Sequence, residues 1–170
     1  MSKNFSLSIR MQSLVCSLLL VFVLIFPSSI AMAKRPPEIR NQEDLKITKD
    51  MHGQDLNGYE FVKFDLRGID FSESDLRGAV FNNSKLKGAD FHGANLKDAL
   101  AYASDFEDAD LTDVNFVNAL LMESSFTNAR IEGADFTDAV ISRIQQKELC
   151  SIAEGTNSST GVETSYSLGC

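Results

Sequence analysis

Between residues 56 and 81 the chain reads LNGYEFVKFDLRGIDFSESDLRGAVF, with an apolar residue at every fifth position: Leu56, Phe61, Leu66, Phe71, Leu76 and Phe81. Neither regular secondary structure produces that interval. In an α-helix five residues advance the azimuth by roughly 500°, about 140° off the starting face. In a strand the fifth residue points to the opposite side of the sheet. A period of five keeps one facing only if the backbone turns a corner in every repeat, so the pattern predicts short extended pieces joined by regular turns.

The phase holds without insertion or deletion from Leu56 to Ile141. Its large members, the expected structural core, are Leu56, Phe61, Leu66, Phe71, Leu76, Phe81, Leu86, Phe91, Leu96, Phe106, Leu111, Phe116, Leu121, Phe126, Ile131, Phe136 and Ile141, with Ala101 the one small member and Met51 an earlier candidate. Two residues before each, from Ser74 onward, stands Ala or Ser, with Val114 the exception. Small side chains there imply close approach of neighbouring backbone. Asp or Asn often stands just before the large residue, and Gly two after it at Gly58, Gly68, Gly78, Gly88, Gly93 and Gly133. These are turn formers, so the corner falls where the period requires it.

The segments ADFHG ANLKD (89–98), ADLTD (109–113) and ADFTD (134–138) resemble the pentapeptide-repeat proteins, whose pattern is Ala, Asp or Asn, Leu or Phe, then two free positions. The resemblance implies an all-β solenoid, a right-handed quadrilateral β-helix with four repeats per coil. The large and small columns then fill a narrow core and the other three positions face water. At twenty residues per coil and about 4.8 Å per coil, residues 51–141 make a rod some 20 Å long. The large side chains change sides along it: Leu, Phe, Leu, Phe in the first two coils, Phe, Leu, Phe, Ile in the fourth. Ala101 sits in the coil where they change, and is expected to make room. Gln54, Tyr59, Phe64 and Ile69 occupy the small column of the first coil, which predicts a wider or irregular coil plugged by its own side chains.

Both ends of such a rod need covering. Residues 34–50 form a lead segment with Pro36 and Pro37. Beyond the repeats, Ile141, Ile144, Leu149 and Ile152 fall near helical spacing before Gly155, predicting a short capping helix over 142–154 within a C-terminal region of residues 142–170.

Residues 1–33 have the layout of a secretory signal: Lys3 and Arg10, an apolar run over 14–26, Pro27, and Ala31-Met32-Ala33 as a small-x-small cleavage site. An uncleaved membrane anchor is the alternative; cleavage after Ala33 leaves no stable anchor. Cys16 is not preceded by a small residue, so lipidation is set aside. The two remaining cysteines, Cys150 and Cys170, suggest one disulfide in an exported chain. It would close the tail into a loop, stabilising by roughly 3 kcal/mol in the chain-entropy view. The closing stretch LCSIAEGTNSSTGVETSYSLGC resembles the end of the thylakoid-lumen members of the same family, through Leu149-Cys150, Gly155-Thr156-Asn157, Thr160-Gly161 and Leu168-Gly169-Cys170. That favours a cyanobacterial thylakoid lumen, with the periplasm as the alternative.

Acidic residues outnumber basic ones, 24 to 16, and from 98 to 138 Arg130 is the one basic residue. A phosphate-contacting nucleic-acid binder needs the opposite balance. The sequence holds no catalytic constellation and implies no cofactor. His52 and His92 share a column with Ser72 between them, too far apart for one metal ion, and read as exposed turn histidines. Asp105, Glu107, Asp108, Asp110 and Asp113 lack the alternating ligands and glycine of a calcium loop. One outward column combines Val80, Leu100, Leu120 and Val140 with Tyr102 and Met122 on the same side. It forms an apolar stripe about 15 Å long, either covered by residues 34–49 or used as a docking surface. The expected function is a non-catalytic protein-binding or scaffold module, monomeric or weakly self-associating, with a protein partner in the lumen or periplasm. The other reading is an acidic DNA mimic acting on a DNA-binding enzyme such as gyrase, as some members of the resembled family do.

Overall fold

The computed structural model describes residues 48–170. The signal segment 1–33 and nearly all of the lead segment 34–50 lie outside the described residues.

From Met51 the chain repeats one unit: a core residue, a two-residue corner, a small residue, and a residue in a parallel bridge. Each bridge pairs residue i with i+20, from Asp50 with Asp70 to Leu120 with Val140, so four units make one coil. The hydrogen bonds follow one rule. The core residue's N–H donates to the carbonyl nineteen residues on (Phe71 to Asp90, 2.7 Å; Leu96 to Asn115, 2.8 Å), and so does the N–H two residues later (Glu73 to His92, 2.8 Å). The N–H before the core residue donates back to the coil below (Asp75 to Gln54, 2.9 Å).

Each corner is a four-residue turn with positive φ at its third residue, the type II signature. Glycine suits that position, but eleven corners place another residue there, seven of them Asp or Asn. Ala103, at φ 52°, has neither glycine's freedom nor a side chain that can bond its own backbone. Ala103→Gly is therefore expected to raise stability by about 1 kcal/mol, measurable by urea unfolding. The Asp and Asn of the bridge column cap the next corner: Asp70 accepts from the Ser72 N–H at 2.9 Å, Asp110 from Thr112 at 3.0 Å and Asn115 from Val117 at 3.0 Å.

The four sides are defined by their core residues. Side 1 carries Leu56, Leu76, Leu96, Phe116 and Phe136. Side 2 carries Phe61, Phe81, Ala101, Leu121 and Ile141. Side 3 carries Leu66, Leu86, Phe106 and Phe126. Side 4 carries Met51, Phe71, Phe91, Leu111 and Ile131. Most are fully buried, while Ile141, above which no further coil follows, is half-buried. Phenylalanines stack coil over coil on sides 2 and 4 (Phe61 on Phe81 at 5.0 Å, Phe71 on Phe91 at 5.2 Å), then on sides 1 and 3 (Phe116 on Phe136 and Phe106 on Phe126, both 5.3 Å). Phe91 meets Phe106 edge to face at 5.8 Å, joining the two sets, and Ala101 occupies side 2 of that coil.

The first coil is regular, not wider: its bridges and hydrogen bonds keep the register of those above. With no described coil beneath, its bulky side chains can lie over the open end. Tyr59 and Phe64 flank Phe61 at 6.3 and 6.1 Å, and Phe61 is fully buried.

Serines in the small column lock side 2. Ser84 Oγ donates to the Phe61 carbonyl and accepts from the Phe64 N–H; Ser124 Oγ does the same for Ala101 and Ser104. At the top this ladder ends on a side chain from the first helix, α1 (Arg143–Cys150). Gln145 Nε2 donates to the Leu121 carbonyl at 3.0 Å and the Ser124 carbonyl at 2.7 Å, standing in for a further coil. The same side chain closes a capping box with Ser142.

The helix is shorter than the predicted 142–154 and presents a different face. Gln145 and Leu149, four apart, point into the rod, which leaves Ile144 73 % exposed. It stops at Cys150 because the chain must turn down to side 4, where the Glu154 carbonyl accepts the Gly133 N–H at 2.9 Å. A second helix, α2 (Thr164–Leu168), forms in the polar tail, where the spacing showed none. Leu168 is buried, the Ser167 hydroxyl accepts the Phe136 N–H at 3.0 Å, and Cys150 is bonded to Cys170. The Thr164 hydroxyl is fully buried without a partner. Thr164→Val keeps its shape and is expected to leave stability unchanged or raise it by about 1 kcal/mol in thermal melts.

Candidate protein-docking surface

Side 2 carries the apolar stripe. Tyr102, Leu120, Met122 and Val140 are each a little over 40 % exposed, while Val80 and Leu100 are half-buried between them. Val62, 40 % exposed, extends the stripe down one more coil. Sequence inspection missed it, although it stands in the column of Tyr102 and Met122, interrupted by Asn82. Asn82 Oδ1 accepts the Tyr102 N–H at 2.9 Å. The neighbouring Glu123 carboxylate, together with desolvation, pushes the Tyr102 phenol above its ordinary range. The stripe therefore combines five exposed apolar or aromatic side chains with one fixed polar edge. Contiguous apolar surface of this kind suits a protein partner better than a small polar ligand.

The acidic residues of 98–138 do not gather on one side. Glu107 and Asp108 flank Lys87 Nζ at 2.8 and 3.4 Å on side 3, and Arg130 binds Asp110 at 2.8 Å on side 4. Asp135, 1 % exposed, caps Thr137 on side 1. Asp113 accepts the Ser158 N–H and so helps hold the tail. Among the described residues no group of acidic, histidine or cysteine side chains is placed to hold a metal ion.

The two histidines are tied to hydroxyls one coil above. His52 Nδ1 lies 2.9 Å from Ser72 Oγ, which donates to Asp70 at 2.5 Å; His92 Nδ1 lies 2.7 Å from Thr112 Oγ1, which donates to Asp110 at 2.7 Å. Because the hydroxyl proton goes to the carboxylate, the imidazole must act as the donor. A nucleophilic serine needs the reverse, an imidazole that accepts its proton.

Three carboxyls are held below their usual value. In Asp65 and Asp75 the main cause is the side-chain bond from Arg67 and Arg77, and in Asp70 the bond from Ser72. A carboxyl whose folded pKa is depressed stabilises the fold above its unfolded pKa, and loses that contribution as pH falls through the folded one. The melting temperature is therefore expected to be flat at neutral pH and to drop below about pH 4. Asp75→Asn should flatten part of that drop.

The pentapeptide repeats family model matches residues 65–100 and 104–143, in eight copies, and its break at 101–103 falls on the coil where Ala101 replaces a large core residue. A pentapeptide repeat protein from the Arabidopsis thaliana thylakoid lumen is 38 % identical over 71 % of this chain and 90 % of its own, with a TM-score of 0.29. The chain belongs to the pentapeptide repeat family. The right-handed quadrilateral β-helix of the family is thus the fold whose coils are described above. HetL, a pentapeptide repeat protein involved in heterocyst differentiation regulation from the cyanobacterium Nostoc sp. strain PCC 7120, is 20 % identical over 59 % of this chain and 50 % of its own, TM-score 0.46. QnrB1, a plasmid-mediated fluoroquinolone resistance protein, is 26 % identical over 55 % of this chain and 61 % of its own, TM-score 0.30. Among curated proteins none matches the chain.

Gln145 and Asn157 do the most positioning work, and sequence inspection singled out neither for it. Asn157 Nδ2 donates to the carbonyls of Asp113, Val114 and Gly133 at 3.0, 3.2 and 2.8 Å, while its Oδ1 accepts the N–H groups of Ser159 and Thr160. Capping boxes mark Gln145 in sequence, as S-x-x-Q at 142–145. Nothing marks Asn157 except its place in the closing stretch.

Proposed function

We propose that this pentapeptide repeat protein is a non-catalytic binding module that acts on a protein partner through the stripe on side 2. The observation that carries it is the run of Val62, Tyr102, Leu120, Met122 and Val140, all exposed on one side of a rod whose other exposed positions are mainly polar. The regular hydrogen-bond ladder makes that side rigid, which lowers the ordering cost of binding. The signal-like layout of residues 1–33, the closing stretch and the 38 % identical Arabidopsis lumen protein support export to a thylakoid lumen. The acidic residues lie on all four sides and several already have partners within the chain, which fits a solubilising role better than a DNA mimic.

Two experiments test this. Cell fractionation with N-terminal sequencing should find the mature chain in the lumen, beginning at Lys34. The purified chain, cross-linked in lumenal extract, should capture a partner that the exposed-site variants Leu120→Asp and Met122→Asp lose by at least about tenfold while melting like the parent. Equal capture by parent and variants would remove the stripe from the proposal.

A further inference from the structure

The ladder rule shows where the rod is unfinished. In the top coil each side has two N–H groups aimed at a coil that does not follow. On sides 2, 4 and 1 one of the two is bonded, Leu121 to Val140, Gly133 to Glu154 and Phe136 to Ser167, while Glu123, Ile131 and Asp138 N–H have no acceptor among the described residues. Side 3 differs. In the lower coils its pairs are complete: Leu66 and Gly68 to Lys85 and Lys87, Leu86 and Gly88 to Asp105 and Glu107, Phe106 and Asp108 to Ser125 and Thr127. In the top coil neither Phe126 N–H nor Asn128 N–H has an acceptor among the described residues. Above them, between this edge and α1, lies a groove of about 240 Å³, with Phe126, Leu149 and Ile152 supplying its apolar surface and Glu148 its charge.

We propose that this groove binds a short extended peptide of a partner protein, which continues the ladder for one repeat. The register dictates its chemistry. The missing acceptors would belong to residues nineteen beyond Phe126 and Asn128, that is, two carbonyls two residues apart. The residue between them falls in the inward column, so it carries a large apolar side chain that rests on Phe126 and against Leu149 and Ile152. The segment runs parallel to residues 125–128, as every coil does. Glu148 favours a lysine or arginine on one of the flanking, outward positions. This is strand addition to a sheet edge, with backbone bonds giving affinity and one pocket giving selectivity. It does not depend on the stripe of side 2.

The probe is fluorescein-labelled Gly-Lys-Leu-Thr-Gly amide, titrated into the purified full chain and followed by anisotropy and by amide NMR. The expected result is saturable binding with a Kd below about 1 mM, new hydrogen-exchange protection at the Phe126 and Asn128 amides, and no shift on side 4. Replacing the peptide's leucine by aspartate should abolish binding. Ile152→Asp, at a site 48 % exposed, should weaken it at least about tenfold without altering the melt. Absence of binding up to about 1 mM overturns the proposal, as does binding that leaves those two amides unprotected. Protection of both amides before any peptide is added also overturns it, since the edge would then be filled by the chain itself or, if protection rises with protein concentration, by a second copy.

Discussion

Phe91→Ala is expected to destabilise the rod by about 4 kcal/mol, near the upper end for a single truncation. Phe91 is fully buried, stacks on Phe71, and meets Phe81 and Phe106 edge to face at 5.9 and 5.8 Å. It is the ring through which the lower aromatic stacks hand over to the upper ones. Removing it leaves a void enclosed by backbone ladders on all sides, which cannot close without breaking the nineteen-residue register. Phe126→Ala deletes the same atoms at the top coil, where the ring is 9 % exposed and borders the open groove. Water can fill that space, so the loss should be smaller by about 1–2 kcal/mol. Urea unfolding of the two variants side by side measures the difference. Equal losses would mean that the interior is not divided into an enclosed middle and an open top.

Asn157→Ala is expected to cost about 3 kcal/mol, although it removes no apolar surface. Five backbone groups lose a bond, and four of them their only partner: the carbonyls of Asp113 and Gly133 from two different coils and two N–H groups of the tail, while the Val114 carbonyl keeps the Asp135 N–H. Asn157 is 1 % exposed, so water does not replace the amide readily. The Cys150–Cys170 bond keeps the tail tethered at its far end. The failure should therefore be local, with faster hydrogen exchange at Gly133 and Asp135 before global unfolding. Asn157→Asp should be worse at neutral pH, because a carboxylate would face three carbonyl oxygens. That environment raises its pKa, so the variant should regain stability as pH falls. A tail that stays docked in Asn157→Ala would show that the disulfide alone holds it.

The repeated features could be read from the residues because each occurs many times. A large residue at every fifth position, a small one two before it and an Asp or Asn between them each report the same corner, and any single exception, such as Ala101 or Val114, is outvoted by its neighbours. The features that occur once were not legible. Gln145 looks like an ordinary capping-box glutamine, yet its amide closes the serine ladder of side 2. Ile144 has the apolar character of a core residue, but the i, i+4 pair of Gln145 and Leu149 decides which face of α1 turns inward. The bulky small-column residues of the first coil suggested a distorted backbone. At an end they can fold over the opening, and the ladder above them keeps its geometry. α2 is held by one buried leucine, a hydroxyl on Phe136 and a disulfide, none of which leaves a periodic trace.

Scalar couplings measured across hydrogen bonds by NMR report directly which amide faces which carbonyl. Couplings are expected from the amide nitrogens of Phe71, Leu96 and Leu111 to the carbonyl carbons of Asp90, Asn115 and Arg130, each nineteen residues ahead. Couplings from these three amides to any other carbonyl, or none in the middle coils, would contradict a chain that turns four corners and returns over itself every twenty residues.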